Sequence, residues 1–599
     1  MGLLDSFKRE YIYIVSVART LVRMRRVGPD SRRTIVDIVE EFAAKKPDNS
    51  AVLYQGSTVT YRQLDEGANR TARWAQSQGI KRGDAVALLM ENRPEYLMTW
   101  LGLHKLGAVA ALVNTNLKGA ALAHSIAILG ARHAIVGVEL NEAYDEAVAQ
   151  IDPKPLAWAA GGTFAGARDF DAALASLSPA PFDKGARAGL SGKDGAFYIY
   201  TSGTAGLPKA AKFSHMRTLY MMYGFAGAMN ASTRDRIYCT LPLYHATGGI
   251  CAVGMAFITG GTFILRRKFS AHEFWEDCRA YRATIFPYIG ELCRYLLSTA
   301  SSPAEADHRL RLCCGNGLGG DIWQAFQDRF RIPHILEFYA ATEANFSLYN
   351  VDEQPGSIGR IPSFLAHRFP IQLIKVDAGT LEPIRDSKEL CVPAATGEPG
   401  EAVFKIAANA NAGAASFEGY TSAQETDKKT LRGVKTKDDV WYRSGDLVKR
   451  DGKGFFYFAG RLGDTFRWKG ENVSTQEVAQ TIAAFPGVLE AAVYGVALPN
   501  ADGRAGMAAL SIDGAFDLKA FKAYMDERLP RYAQPLFLRI VDQLELTATF
   551  RPQKGGFASQ GANPATVPDP LYFNDEASGG FVTLDASLYE AIAAGRVRL

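Results

Sequence analysis

Short apolar runs alternate with amphipathic segments through roughly the first 350 residues of the chain, a pattern that predicts strands and helices in turn. The first clear unit spans residues 51–79. Thr60 and Gln63 stand at the spacing of a capping box, apolar side chains recur on one face of the segment that follows, and Gly79 ends it. This stretch predicts a strand, a turn and an amphipathic helix.

The next apolar runs contain few polar positions, so they predict strands that are buried on both faces. Continuous apolar strands separated by helices are typical of a parallel sheet covered on each side. Ligands of such sheets bind beyond the carboxyl ends of the strands. The predicted strands are 84–90, 108–114, 134–138 and 196–200, and the predicted helices between the first three are 94–107 and 117–130.

The pattern changes after about residue 350, where shorter runs with turn signals predict a small β-rich subdomain. Residues 407–440 are small, polar and charged, which indicates surface loops and a short helix. From about residue 464 the segments predict an α+β unit. The predicted fold class is therefore α/β, with a large N-terminal domain of parallel-sheet α/β layers, its β-rich subdomain, and a smaller α+β C-terminal domain.

The composition is that of an ordinary globular protein, with 47% hydrophobic and 22% charged residues among 599. Seven cysteines without a Cys-x-x-Cys pair indicate neither a disulfide framework nor a zinc site and favour a reducing compartment. Residues 237–265 carry no formal charge, but proline, histidine and two glycine pairs interrupt them. They predict a loop, a short buried helix near 250–258, a turn and a strand, not a membrane span.

The first 33 residues hold the excess positive charge, with eight basic side chains against three acidic ones, whereas the whole chain has a formal charge of +4. Residues 11–22 are too short, and too interrupted by Arg19, to span a bilayer. One interpretation is a helix on an anionic membrane surface, where each basic side chain contributes roughly 1 kcal/mol. The other is a basic helix packed on the body of the protein. No nucleic acid partner is expected.

Residues 196–215 form the first candidate binding site, because a buried strand runs into a loop rich in hydroxyls and glycines. Glycines let backbone N–H groups turn towards an anion, hydroxyls donate without bulk and a lysine supplies charge, so the loop suits phosphate. It is not the common P-loop, since Pro208 and Ala210 flank the lysine; a polar turn after a core strand is the alternative. The candidate ligands are Thr201, Ser202, Gly203, Thr204, Gly206 and Lys209.

Five motifs together point to one family. They are YTSGTAGLPKAAKFSH from residue 200, CGNGLGGDIWQAFQDRF from 314, FYAATEANF from 338, YRSGDLVKRDGKGFFYFAGRLGDTFRWKGENVSTQEV from 442, and the tail from 569. In this order they resemble the adenylate-forming superfamily and, within it, the fatty acid transport protein and very-long-chain acyl-CoA synthetase branch. The resemblance implies that a fatty acid carboxylate attacks the α-phosphate of ATP, expels pyrophosphate and is then transferred to coenzyme A. Such a site must above all neutralise charge.

The resemblance also assigns roles to residues of the adenylation domain. Glu343, which follows Thr342, would hold Mg²⁺ at the phosphates, a fitting place for a hard cation with one carboxylate and several waters. His245 would lie near the acyl carboxylate, with the uncharged stretch after it lining the chain pocket; a core histidine is the alternative. The residues that would line the adenine or stack nearby are Gly315, Asn316, Gly317 and Tyr339.

Later motifs would bind ribose and coenzyme A. Asp446 resembles the acid that accepts both ribose hydroxyls and Arg461 the arginine that reaches the ribose or phosphates; a turn former and a surface charge are the alternatives. The family rotates its C-terminal domain just after this arginine, which places the pivot at Gly463. Gly470 would border the pantetheine channel, and Arg504 would bind phosphate of coenzyme A. The expected domains are a basic arm at 1–33, an adenylation domain at 34–462 and a mobile domain at 463–599.

One motif departs from the branch, which carries a C-terminal lysine that bridges the substrate carboxylate and the α-phosphate. This chain has LTATFRPQK at 546–554, so Ala548 replaces a glycine and Arg551 stands where the lysine is expected. Arginine keeps the charge but is planar and bulkier. Either Arg551 substitutes, or Lys554 reaches in, or adenylation is slow.

The sequence thus predicts a Mg²⁺- and ATP-dependent long-chain or very-long-chain fatty acid–CoA ligase, peripheral to the cytoplasmic face of a membrane, with fatty acid uptake as an associated role. One alternative is a ligase for another carboxylic acid, bile-acid-like or carnitine-like, or one with a different acceptor such as a carrier-protein thiol. Another is a lipid-uptake protein without catalysis. Glu343, Asp446 and Arg461 argue against the last alternative, and Arg551 keeps it open.

Overall fold

The chain divides into two compact units, 1–369 with 405–431 and 370–404 with 432–599. The structure is a computed structural model, and it describes residues 3–25, 27–201, 207–340, 346–369, 371–377, 380–406, 417–462, 464–468, 471–499, 503–545, 554–597 and 599. The domain boundaries predicted after residues 33 and 462 stay predictions, and Gly463 lies outside this range.

The first unit is an α/β structure. Its helices are α1 (Leu3–Met24), α2 (Ile35–Lys45), α3 (Tyr61–Ser77), α4 (Pro94–Leu106), α5 (Gly119–Ala127), α6 (Asn141–Val148), α7 (Phe170–Ala175), α8 (His215–Ala228), α9 (Val253–Phe257), α10 (Phe274–Ala280), α11 (Gly290–Ser298), α12 (Gly320–Arg329) and α13 (Ala423–Lys428). Its strands are β1 (Ser50–Tyr54), β2 (Ser57–Thr60), β3 (Ala85–Leu89), β4 (Val109–Leu112), β5 (His133–Gly137), β6 (Leu156–Ala160), β7 (Arg168–Asp169), β8 (Gly195–Thr201), β9 (Lys209–Ser214), β10 (Arg236–Cys239), β11 (Thr262–Leu265), β12 (Ile285–Ile289), β13 (Leu312–Asn316), β14 (Ile335–Ala340), β15 (Ser347–Asn350) and β16 (Gly359–Arg360).

These strands build two sheets, as the alternation of apolar runs and helices predicts. One has the order β7-β6-β5-β3-β4-β8-β9, in which only the β8–β9 pairing is antiparallel. The other has the order β15-β14-β13-β12-β10-β11-β1-β2, parallel from β14 to β1 and antiparallel at both edges. The prediction of parallel α/β layers is confirmed, while the antiparallel edge strands were not foreseen.

Local signals in the sequence explain where the helices begin and end. Thr60 caps α3: its hydroxyl accepts from the Gln63 amide at 3.2 Å, and the Gln63 side chain accepts from the Thr60 amide at 2.9 Å. Pro94 occupies the first turn of α4, and Gly107 ends that helix with a φ of 76°, a conformation that suits glycine. The uncharged stretch holds a π-helix at Thr247–Ala252 that continues into α9, so the predicted buried helix begins slightly earlier than expected.

The second unit contains β17 (Ile371–Ile374), β18 (Gly400–Lys405), β20 (Val440–Arg450), β21 (Phe455–Arg461), β22 (Thr465–Trp468), β23 (Glu471–Ser474), α14 (Thr475–Ala483), β24 (Val488–Val496), β25 (Ala505–Ile512), α15 (Leu518–Arg528), β26 (Phe537–Ile540), α16 (Gly555–Gln560), β27 (Leu571–Asp575), β28 (Gly580–Thr583) and α17 (Ala586–Ala593), and β19 (Thr430–Arg432) lies at its border. Strands β17, β18, β20 and β21 are neighbours in one sheet, which is the predicted β-rich part. Strands β24 to β28 form a second sheet around an apolar core, which confirms the predicted α+β segment.

Candidate active site

The predicted phosphate loop connects the antiparallel strands β8 and β9. Thr201, the last residue of β8, is the register partner of Lys209, the first residue of β9. The lysine therefore lies on a strand and not within the loop, because β9 pairs with β8 from Lys209 onwards. This pairing fixes both ends of the loop, so the Thr201 and Lys209 backbones stand side by side where the anion is expected.

Lys209 has a partner that sequence reasoning missed. Its ammonium forms an ion pair with Glu425 on α13 and lies 5.8 Å from the centroid of the Tyr420 ring. Glu425 also pairs with Lys428 at 2.7 Å, and the hydrogen bonds from these two lysines hold the pKa of Glu425 below its ordinary value. The segment before α13 is tied to β9 by a bridge between Ala211 and Tyr420. The charge of Lys209 is thus neutralised by a residue of its own unit.

The predicted adenine wall ends strand β13 in a tight turn. Gly317 has a φ of 88°, in the region that favours glycine. A Cβ on Gly315 would lie 2.2 Å from the Tyr288 carbonyl oxygen, so only glycine permits this approach. The turn is held by Glu337, which is fully buried and accepts from the Gly317 amide at 2.9 Å and the Leu318 amide at 3.1 Å.

Glu337 is a second residue that the sequence analysis passed over, although one acid in the apolar strand ILEFYA is a visible signal. Its carboxylate also accepts from the Tyr288 hydroxyl at 2.6 Å. Burial raises the pKa of Glu337 to about 8, and the three hydrogen bonds oppose this shift. The Glu337 carboxyl group holds the turn in shape by accepting from the amides of Gly317 and Leu318.

The turn presents one open hydrogen-bond acceptor. The Asn316 side-chain oxygen Oδ1 is buried and accepts no hydrogen bond from any residue that the structure describes. A buried acceptor without a donor is costly, and the amino group of an adenine would satisfy it. Tyr339 lies on the neighbouring strand β14 and is 8% exposed, so its position is compatible with a flat ring close by.

His245 stands in the loop before the buried π-helix. It is half-buried, its ring lies 4.7 Å from that of Tyr244, and its carbonyl accepts from the Gly249 amide at 2.7 Å. A Cβ on Gly249 would lie 1.9 Å from the Leu243 carbonyl oxygen, so glycine lets the helix start against this loop. The apolar residues that follow are buried, as a pocket wall or a core would require.

Asp446 and Arg461 are direct cross-strand neighbours on β20 and β21 of the second unit. Arg461 Nε lies 3.0 Å from Asp446 Oδ1. The Asp446 side chain is 9% exposed and that of Arg461 is 42% exposed, so the pair has an open side at the arginine. Glu401 supports the segment before the aspartate, since it accepts from the Gly445 amide at 3.1 Å and pairs with Arg443 at 2.9 Å.

Two further predicted residues of the second unit have defined surroundings. Lys554 precedes α16 and donates to the Thr475 hydroxyl at 2.7 Å, and that hydroxyl donates to the Asp464 carbonyl at 2.6 Å. Arg504 is exposed before β25 and contacts the Gly495 carbonyl at 3.4 Å. Lys554 is therefore positioned beside the start of α14, next to the segment that follows the predicted pivot.

The remaining predicted site residues lie outside the part of the chain that the structure describes. They are Ser202, Gly203, Thr204 and Gly206 of the loop, Thr342 and Glu343, Gly470, and Arg551. Their assigned roles stay predictions, as does the magnesium site at Glu343.

Comparison with known families identifies the class of protein. Residues 39–407 match the family described as "AMP-binding enzyme", and residues 477–551 match "AMP-binding enzyme C-terminal domain". The chain belongs to the AMP-binding enzyme family, whose members form adenylates.

The similar curated proteins narrow this class. The chain is 39% identical to long-chain fatty acid transport protein 1 of Bos taurus, over 99% of this chain and 92% of that protein. It is 40% identical to the same protein of Homo sapiens, over 98% of this chain and 91% of that protein. It is 38% identical to long-chain fatty acid transport protein 2 of Rattus norvegicus, over 98% of this chain and 94% of that protein. The resemblance to the fatty acid transport protein branch is confirmed.

Solved structures agree in fold. An anthranilate CoA ligase in complex with anthranoyl-AMP has a TM-score of 0.73 at 22% identity, covering 88% of this chain and 97% of that chain. ATP-bound MatB from Rhodopseudomonas palustris has a TM-score of 0.70 at 23% identity, with coverages of 88% and 98%. A fatty acyl CoA synthetase of Mycobacterium tuberculosis has a TM-score of 0.59 at 24% identity, with the same coverages. These likenesses establish the adenylate-forming fold.

Proposed function

We propose that this protein is an ATP-dependent acyl-CoA ligase for long-chain and very-long-chain fatty acids. The observation that carries the proposal is similarity along nearly the whole chain to relatives named for long-chain fatty acid transport, inside a family of AMP-binding enzymes. In the first step a carboxylate oxygen attacks the α-phosphorus of ATP and the bond to pyrophosphate breaks. In the second the coenzyme A sulfur attacks the acyl carbon and AMP leaves.

The residues of the first unit fit a nucleotide by their chemistry. The unpartnered Asn316 oxygen would accept from the adenine amino group, and the glycine turn held by Glu337 would let the ring approach the backbone. Lys209 would exchange Glu425 for the triphosphate. In the second unit, Asp446 would accept from the ribose hydroxyls beside Arg461.

Magnesium and the mobile domain belong to the same proposal. Glu343 would hold Mg²⁺ at the phosphates, where the ion offsets charge that builds up as pyrophosphate leaves. Residues 463–599 would turn at Gly463 after that step, bringing Gly470 and Arg504 towards coenzyme A. The reaction would take place on the cytoplasmic side of a membrane.

Acid-dependent exchange of labelled pyrophosphate into ATP tests the first step alone. We expect exchange with fatty acids of long chain, dependence on added Mg²⁺, and thioester formation when coenzyme A is also present. Exchange with short or aromatic acids only would favour a ligase for another acid. Exchange without thioester would favour another acceptor.

Fatty acid uptake is the second candidate function, and the names of the relatives favour it. Activation on the inner side of a membrane would trap an entering acid as its thioester, so the two functions are compatible. If pyrophosphate exchange fails with every acid while cells that produce the protein still take up labelled fatty acid, the protein acts in uptake without catalysis.

A further inference from the structure

Helix α1 turns Arg19 and Arg23 towards the protein. Arg19 Nη2 donates to the Ala228 carbonyl at 3.2 Å and Nε to the Gly227 carbonyl at 2.6 Å, at the end of α8. One turn later, Arg23 donates to the carbonyls of Ala226 at 2.8 Å and Ala231 at 2.9 Å. Two arginines thus donate to carbonyl groups at and just beyond the end of α8, and those of Ala226 and Gly227 also accept backbone amides.

The first half of α1 is held by a buried ionic cluster. The Arg360 side chain, 2% exposed, pairs with Glu10 of α1 at 2.8 Å and with Asp352 at 2.7 Å. Its guanidinium carbon lies 5.2 Å from the centroid of the Tyr13 ring, which is also buried. Helices α1 and α8 approach closely at Gly227, where an added Cβ would lie 2.7 Å from the Thr20 Cα, so glycine permits this contact. These contacts show α1 packed on its unit, as the second interpretation of the basic arm requires.

The outward face of α1 is apolar. Its exposed side chains are Tyr11 (69%), Ile12 (42%), Ile14 (48%), Val15 (40%), Leu21 (59%) and Val22 (58%). Apart from Ile12, they recur at helical spacings of three, four and seven residues, which places them on a single stripe that ends at the exposed Arg25. A surface helix normally buries its apolar stripe and exposes its charges. Helix α1 does the reverse.

We propose that the outward stripe of α1 is the surface by which this protein inserts into the interface of a lipid membrane. The helix would lie in the membrane plane, with Tyr11 and Arg25 at the level of the headgroups and the aliphatic side chains between them in the acyl region. No described helix is long and apolar enough to cross a bilayer, so the contact is confined to one leaflet. The proposal does not depend on the ligase activity.

A lipid surface fits the stripe better than a second copy of the chain. Six exposed side chains along a single helix are far fewer than the roughly 20–30 residues that each partner contributes to a stable protein interface. Between Tyr11 and Arg25 the outward stripe holds no acidic side chain, and the exposed Arg25 at its end complements phosphate headgroups. The stripe thus combines aliphatic side chains with a tyrosine and an arginine, whose polar tips can reach the headgroups from an in-plane helix.

This surface differs from an electrostatic arm in what drives binding. Arg19 and Arg23 are occupied by carbonyl groups of the protein, so they are not offered to anionic lipid. The aliphatic side chains supply the main contribution, which salt does not screen. Binding should therefore persist on uncharged vesicles and at high salt.

Flotation of the full-length protein with vesicles tests the proposal. The vesicles are phosphatidylcholine alone and phosphatidylcholine with phosphatidylserine, at about 0.1 M and about 1 M salt, where the Debye length is roughly 10 and 3 Å. The double substitution Ile14→Asp with Val22→Asp places charge on the stripe. The matched control is Leu489→Asp, since Leu489 is 55% exposed on β24, outside α1. Thermal unfolding and light scattering accompany each variant.

We expect the parent and L489D to float with both vesicles at both salt concentrations, and the double variant to lose binding by about tenfold or more with unchanged unfolding. Binding of the parent only to anionic vesicles at low salt would overturn the proposal in favour of an electrostatic arm. So would equal binding by the double variant. If the parent is a dimer, the double variant is a monomer and neither binds vesicles, then a second copy of the chain covers the stripe.

Discussion

Lys209 and Glu425 form an ion pair that joins the first residue of β9 to helix α13. The lysine lies at the end of the loop that should bind the triphosphate, and its ammonium is already paired with a carboxylate. An anion that binds there must compete with Glu425 or tolerate it nearby. Under the proposed function, the pair would therefore set part of the affinity for ATP.

Replacing Glu425 by glutamine should lower the KM for ATP. The change removes a negative charge next to the expected triphosphate. The free energy of a partly exposed ion pair corresponds to a decrease in KM of roughly two- to fivefold. Asp427→Asn is the control, because it removes the same charge from an exposed position of the same helix. An increase in KM for Glu425→Gln alone would mean that Glu425 positions Lys209 and does not compete for it.

Asp446→Asn should raise the KM for ATP by about tenfold or more, since hydrogen bonds to a charged group contribute about 1.5–3 kcal/mol. The sharper measurement compares ATP with 2′-deoxy-ATP. The parent should discriminate against the deoxy form, and the variant should lose most of that discrimination. Asp438→Asn, an exposed acid near the start of β20, serves as control. Undiminished discrimination in the variant would rule out the ribose assignment.

Asn316→Ala tests the adenine assignment. Loss of one neutral hydrogen bond corresponds to about 0.5–1.5 kcal/mol, so the preference for ATP over GTP should fall roughly two- to tenfold. The KM for the fatty acid should not change. A variant that keeps the parent's preference would show that the Asn316 oxygen has another partner in the complex.

Glu337 should make stability depend on pH. Its pKa is raised to about 8 in the folded protein, whereas an unfolded glutamate titrates near 4.3, so the folded state binds the extra proton between these values. The stabilisation is present at low pH and is lost as pH rises through about 8. Urea midpoints at about pH 6 and about pH 9 should differ more for the parent than for Glu337→Gln. Glu142→Gln, at an exposed position, should retain the parent's pH dependence.

Arg551 and Lys554 can be separated by alanine substitution. Lys554 already donates to Thr475, so we expect Arg551→Ala to slow pyrophosphate exchange the more, by about 100-fold, as for loss of a transition-state donor. Lys554→Ala should slow exchange by less than about tenfold. Thioester formation from added acyl adenylate should be nearly unaffected by either change. If neither substitution slows exchange, the motif is wrongly aligned.

The fold was predictable because its signals are local. The apolar runs of β3, β4 and β5, the Thr60 cap and Pro94 each specify an element without reference to distant residues. The edge strand β9 was not foreseen, since its alternation is short and follows a loop that resembles a phosphate site. Its antiparallel direction depends on its pairing with β8, and a short stretch of sequence does not show which strand it will pair with.

The candidate site was predictable only where a motif carries the residue. Asp446 and Arg461 come from one continuous segment, and strand pairing brings them together. Glu425 and Glu337 were missed for different reasons. Glu425 lies more than 200 residues from Lys209 in a polar stretch, whereas Glu337 acts through backbone amides that have no side-chain signature.

Arg19 and Arg23 join α1 to the end of α8, so deleting the first 33 residues would affect the stability of the protein as well as any membrane binding. Such a truncation would uncover the carbonyls of Gly227, Ala228 and Ala231 and remove Glu10, one of the two carboxylates that pair with Arg360. The loss of these hydrogen bonds and of one ion-pair partner would destabilise the first unit. The amino-terminal segment is therefore an integral part of the first unit, and its position would fix which side of that unit faces the lipid.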